Sequence, residues 1–143
     1  MAFNLLIVDD SASMRAVVKK IVGLTGLEVN QILEADNGRK ALDILGGSWV
    51  DAVILDINMP EMNGLELLER MSGDDLLKSI PVVMMTTDAS EEHMKTAFDL
   101  GAKGFVRKPF VPEEMRKMLL GVLGFDEKGD YGKRERDPGG VDF

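Results

Sequence analysis

DAVILDINMPEMNGLELL, residues 51–68, sets two patterns end to end. Ala52–Leu55 is a short, unbroken apolar run that stops at Asp56, as expected of a strand buried on both faces. Leu65, Leu67, Leu68 and Met71 then recur at the spacing of one helical face. The unit is a strand followed by a helix, and it repeats along the chain. Toward the N-terminus, Asn4–Val8 runs into Asp9-Asp10 and is followed by the stripe Met14, Val17, Val18, Ile21 and Val22. Toward the C-terminus, Pro81–Met85 runs into Thr86-Thr87 and is followed by Met94, Ala97, Phe98 and Leu100. Two weaker strand candidates are Glu28–Glu34, holding Val29 and Ile32, and Gly104–Arg107, which stops before Lys108-Pro109. Their helical stripes are Ala41, Leu42 and Leu45, and Met115, Met118, Leu119, Val122 and Leu123. Gly46-Gly47 and Gly101 are expected to follow helices, Ser90 with Glu91 and Glu92 to open one, and Pro112 to sit in the first turn of another.

Five such units in strict alternation predict a doubly wound α/β fold, because each return to a parallel strand needs a long, right-handed crossover. Periodicity does not give the strand order. It does say where to look for chemistry, since ligands of such sheets sit beyond the carboxyl ends of the strands.

The 143 residues suffice for one domain with a single core. Residues 1–124 are expected to form it, with 125–143, a charged segment containing glycine, as a mobile tail. A formal net charge of −8 argues against binding nucleic acid or an anionic membrane directly. Cysteine is absent, which excludes disulfides, thiolate metal sites and cysteine catalysis. No apolar stretch approaches the ~20 residues that span a bilayer, and the start MAFNLLIVDD lacks the pattern of a secretion signal, so a cytoplasmic protein is expected.

The strand ends carry Asp9 and Asp10, then Asp56, then Thr86, then Lys108. A single Asp in such a place is usually a turn or cap residue, and Asp10 or Ser11 can cap the first helix. What favours function is that every group falls on the same sheet edge. Carboxylates converging there need a cation or protonation, and oxygen donors without His or Cys favour a hard ion, magnesium before calcium. Lys108 and the Thr86 hydroxyl add positive charge and a donor for phosphoryl oxygens. Asp56, set apart from the adjacent acidic pair, is then the natural nucleophile.

LLIVDDSASMR, EADNGRKALDIL, DAVILDINMPEMNGLELL, PVVMMTTDAS and LGAKGFVRKPF, in this order, resemble the receiver family of response regulators, most closely its single-domain chemotaxis-type members, and the resemblance covers roughly residues 4–123. The resemblance implies a flavodoxin-like five-stranded parallel sheet in the order 2-1-3-4-5 with five helices. It implies that Asp56 is the phosphoacceptor and itself a metal ligand, that Asp9 and Asp10 bind Mg2+ directly or through water, and that the Asn58 backbone carbonyl joins the metal shell. Thr86 then resembles the switch hydroxyl, Lys108 the phosphate-contacting lysine, Pro109 the proline after it, often joined by a cis bond, and Phe105 the switch aromatic. Phe105 lacks the hydroxyl of the tyrosine frequent there, so it can respond only by burial and packing; its alternative reading is plain core. Thr87 and Asn58 flank the expected phosphoryl site and would tune its lifetime. The implied partners are a sensor histidine kinase and a protein target reading the face of the fourth helix, fifth strand and fifth helix, with the chain itself a monomer.

Other classes fit less well. The chain can also be the receiver half of a longer regulator. A haloacid-dehalogenase-like phosphatase needs a second Asp two residues after the nucleophile, where this sequence has Asn58, so a phospho-switch is expected rather than a turnover enzyme. A flavodoxin-like electron carrier needs a phosphate loop where this chain has Asp9-Asp10. His93, the only histidine, reads as a solvated helix residue, and the ten methionines as packing.

Overall fold

The structure, a computed structural model, describes residues 2–57, 63–86, 91–108 and 111–124, with the backbone alone for 91–93. The elements alternate as β1 (Phe3–Val8), α1 (Ala12–Leu24), β2 (Val29–Ala35), α2 (Gly38–Gly47), β3 (Ala52–Asp56), α3 (Gly64–Ser72), β4 (Val82–Thr86), α4 (Glu91–Asp99), β5 (Gly104–Arg107) and α5 (Pro112–Leu123). All ladders are parallel and the strand order is β2-β1-β3-β4-β5, which is the fold expected. The tail, 125–143, lies outside the described residues.

Alternation along the strands sorts the core into two layers, because successive side chains leave a strand on opposite faces. Leu6, Val8, Val53, Leu55 and Met84 pack with Ala41 and Leu45 of α2, Leu67, Leu68 and Met71 of α3, and Ala97 of α4. Leu5, Ile7, Ile54, Val83 and Met85 face the other way, onto Val18 and Val22 of α1 and Met115 and Leu119 of α5. That double covering is why the central strands read as unbroken apolar runs. The edge strands β2 and β5 have mixed burial, which is why they read weakly.

Helix starts are fixed locally. Ser11 caps α1 and Asn37 caps α2, each accepting a backbone N–H three residues on, at 3.1 and 2.9 Å. Asn63 and Glu66 form a reciprocal capping box at α3, and Pro112 with Glu113 and Glu114 opens α5. One boundary differs from expectation. Gly46 and Gly47 form the last turn of α2 rather than following it, and the extended Ser48 ends the helix. A Cβ at either glycine would meet nothing within 4 Å, so neither is required by packing or by an unusual backbone angle.

Candidate functional site

Strand order reverses direction between β1 and β3, and the crevice beyond their carboxyl ends is where such sheets bind ligands. Asp9 lies one residue past β1 and Asp56 is the last residue of β3. Asp9 remains tied to the sheet, its N–H donating to the Ala35 carbonyl at 3.1 Å. The chain then turns into α1, and the N–H of Ser11 donates to Asp9 Oδ1 at 2.9 Å. The other oxygen, Oδ2, lies 3.4 Å from Lys108 Nζ, which is also 3.6 Å from Asp56 Oδ1. Lys108 thus bridges two carboxylates whose residues are only 1% and 5% exposed.

Asp10 completes the group. Asp9, Asp10 and Asp56 each offer a carboxylate oxygen, and the three atoms lie within 4.8 Å of one another. Two unit charges at 4.8 Å and an effective dielectric of ~20 repel by about 3.5 kcal/mol. At the observed Lys108 distances of 3.4 and 3.6 Å, each attraction is somewhat larger. One lysine therefore offsets the buried pair. Three carboxylates against one ammonium still leave two negative charges, the complement of a divalent cation. The donors are all oxygen, so the residues suit a hard ion such as Mg2+.

Thr86 ends β4 and is 1% exposed. Its carbonyl accepts the Lys108 N–H at 2.8 Å, so the ends of β4 and β5 are tied to each other at the site. Phe105 lies on β5, half-buried against the α2–α4 layer, its ring 5.6 Å from that of Phe98 at a tilt of 55°.

Residues 5–120 match the response regulator receiver domain. The chain belongs to that family. Relatives of this receiver domain include the chemotaxis protein CheY1 of Helicobacter pylori, 37% identical over 87% of this chain and 99% of the relative. The chemotaxis protein CheY homolog of Campylobacter jejuni is 39% identical over 85% of this chain and 92% of its own length. Among solved structures, the chemotaxis protein CheY4 of Vibrio cholerae superposes with a TM-score of 0.77 at 35% identity, covering 86% of this chain and all of that one. A putative response regulator from Chloroflexus aurantiacus has a TM-score of 0.78 at 28% identity, with 86% and 98% of the two chains covered. The receiver domain is therefore closely related to the chemotaxis-type response regulators.

In this receiver domain the structure brings Asp9, Asp10, Asp56 and Lys108 together, and places Thr86 at the same sheet edge with Phe105 on the adjoining strand. Asn58, Thr87 and Pro109 lie outside the described residues, as does the side chain of His93. The alternatives left open for Ser11 and Asp10 resolve to Ser11 as the cap.

Two residues at the site were not anticipated. Arg15 donates from Nη1 to the Asp9 carbonyl at 2.7 Å and from Nε to Glu34 Oε1 at 2.9 Å, while Lys19 donates to Glu34 Oε2 at 3.1 Å. Those two cations hold the Glu34 carboxyl below its ordinary value, the Arg15 hydrogen bond contributing most. Gly64 packs against the backbone of Asp56 and Ile57, and its N–H donates to the Ile57 carbonyl at 2.9 Å. Arg15 carries one legible signal: a cation in the first turn of a helix opposes the dipole and calls for an anionic partner.

Proposed function

We propose that this receiver domain is a phosphorylated switch of two-component signalling, of the chemotaxis type, with Asp56 as acceptor. The observation that carries the reading is the cluster itself: three carboxylate oxygens within 4.8 Å, two of them flanked by one lysine ammonium. A carboxylate oxygen of Asp56 attacks the donor phosphorus, and the bond from phosphorus to the donor's leaving group breaks. That group is an imidazole nitrogen of a kinase phosphohistidine, or the acetate oxygen of acetyl phosphate. The product is an acyl phosphate on Asp56, later returned to carboxylate and inorganic phosphate by water. Asp9 and Asp10, with the Asn58 carbonyl as further donor, would hold Mg2+, which supplies charge neutralisation to phosphoryl oxygens when bound. Lys108 pairs with the phosphoryl group in place of its present carboxylates, and the Thr86 hydroxyl donates to it.

Transfer of Thr86 toward the phosphoryl group would free space for Phe105, changing the face formed by α4, β5 and α5. Partner reading is supported there by a hollow of about 680 Å³ lined in part by Lys103, Phe105, Val106 and Met118, and by the exposed Phe98 and Val111 nearby. The donor is a sensor histidine kinase and the reader a protein target. Because Asn58 stands where a phosphatase would need its acid, the chain turns over only its own phosphoryl group. No helix among the described residues is long and apolar enough to cross a membrane, in keeping with a cytoplasmic switch.

Incubation with acetyl phosphate and Mg2+, read by intact mass, tests the assignment. The parent is expected to gain one phosphoryl group and Asp56→Asn none. Undiminished labelling of Asp56→Asn would remove Asp56 from its role.

A further inference from the structure

Asp9 is held through its N–H by the Ala35 carbonyl and through its carboxylate by the Ser11 N–H and by Lys108. Asp10 differs: it is exposed, and among the described residues no hydrogen bond or ion pair restrains its carboxylate. Its position is set by its backbone. The carbonyl of Asp9 and the N–H of Asp10 belong to one planar peptide unit, so whatever fixes that carbonyl fixes the plane from which Asp10 departs. The group that does so is Arg15, at 2.7 Å.

Taking Asp9 and Asp10 as metal ligands, as proposed above, we propose that Arg15 is a positioning residue, clamping the Asp9–Asp10 peptide so that the Asp10 carboxylate meets those of Asp9 and Asp56. Glu34, at the end of β2, anchors the clamp. A surface ion pair of this kind is ordinarily worth little. Here the arginine side chain is only 16% exposed, and its fork divides between a backbone carbonyl and a carboxylate, 2.7 and 2.9 Å away. Such charge-assisted bonds from a rigid planar group fix orientation as well as energy. Lys19 binds the same glutamate at 3.1 Å and, among the described residues, makes no bond to the acidic loop, and so serves as an internal comparison.

Arg15→Lys keeps the positive charge but cannot reproduce the fork, so it separates geometry from electrostatics. In the full chain, titrated calorimetrically with MgCl2, Arg15→Lys is expected to raise the Mg2+ dissociation constant about tenfold, the scale seen when groups supporting metal ligands are removed. Glu34→Gln should give a smaller rise in the same direction, and Lys19→Met none. The metal-free protein supplies a second readout: the amide resonance of Asp10 should move in Arg15→Lys and stay in place in Lys19→Met. Parental Mg2+ affinity and an unmoved Asp10 amide in Arg15→Lys would overturn the proposal, as would an equal loss of affinity in Lys19→Met. If Arg15→Lys fails to fold, parental affinity in Glu34→Gln overturns it. A parent that binds no Mg2+ would instead sink the metal reading, while the Asp10 amide, read without metal, would still decide the role of Arg15.

Discussion

Replacing Gly64 by alanine should damage both the fold and the site, and the structure says why. A Cβ at that position would meet the Asp56 carbonyl oxygen, and would lie 2.8 Å from Ile57 Cα and 3.0 Å from the Asp56 carbonyl carbon. Carbon atoms in comfortable contact sit ~3.5–4.0 Å apart, so relief needs a shift of about 0.5–1 Å. The obstacles are backbone atoms, with no flexible side chain to swing aside. Gly64 is also pinned through its N–H to the Ile57 carbonyl at 2.9 Å, so the strain must move the end of β3, where Asp56 resides. Overpacking of this kind costs about 1–3 kcal/mol. Exchange of glycine for alanine returns at most roughly 0.5–1 kcal/mol, the value for a helix interior, leaving a net loss centred on about 1 kcal/mol and no larger than about 3 kcal/mol. The effect on phosphorylation should be larger, because a misplacement of about 1 Å at a reacting group can cost on the order of 100-fold in rate. Urea unfolding gives the first quantity and the rate of labelling by acetyl phosphate the second. Gly121→Ala in α5 is the control: nothing lies within 4 Å of its Cβ, so it should stabilise slightly and label at the parental rate. A Gly64→Ala protein as stable and as quickly labelled as the parent would refute the steric reasoning.

Lys108→Met removes the ammonium 3.4 and 3.6 Å from Asp9 and Asp56, leaving two buried carboxylates facing each other. Breaking such an arrangement costs about 3–5 kcal/mol; urea unfolding in EDTA should register that loss and added Mg2+ should recover part of it, whereas an unchanged midpoint would contradict the charge accounting. The switch reading places the response in β5, so amides 104–108 should change their hydrogen exchange on beryllofluoride addition more than amides 52–56 of β3 do; equal change in both strands would count against it. Glu34 has its carboxyl held below the ordinary value of 4.5, so its stabilising contribution is present above that pH and is lost as pH falls through the lower folded value. For a side chain 35% exposed, screening keeps that contribution within roughly 1 kcal/mol. The stability difference between parent and Glu34→Gln should thus be present at neutral pH and vanish in strong acid; a difference that persisted undiminished there would assign it to packing.

Burial decided what could be read from the amino acids. Ile54, Leu55, Leu6 and Ile7 are fully enclosed, so the central strands announced themselves as apolar runs, and the acids and threonine that follow them marked the edge of the sheet where the candidate site lies. Asn30 and Gln31 lie exposed on β2, where one side of the strand has no neighbour to demand apolar residues. The neighbour relations of the strands came from the family resemblance, since alternation encodes which face a residue takes and not which strand lies beside it. Gly64 was illegible, and Arg15 legible only as a cation in want of an anionic partner, for a related reason. Each acts on the backbone of a distant residue, Arg15 on the Asp9 carbonyl and Gly64 on Asp56, and a backbone atom leaves no trace in residue type.

The same geometry explains why a site of this charge can serve as a switch. Lys108 already sits between the buried pair, so a phosphoryl group on Asp56, as proposed, would compete for a cation that is engaged with Asp9 as well. Moving that ammonium pulls on a strand of four residues, Gly104–Arg107, the shortest in the sheet. β5 is an edge strand with β4 as its one neighbour, and the Lys108 N–H is bonded to the carbonyl of Thr86, the other residue proposed to respond. A displacement at the site would therefore be delivered to this short edge strand rather than to β3, which is buried along its whole length. Phe105, three residues before Lys108 on that strand and stacked at a tilt against Phe98 of α4, is where the displacement would reach the surface. On the proposed reading, the buried centre of the sheet holds the acids in place, and the lightly held edge would carry their change of charge outward.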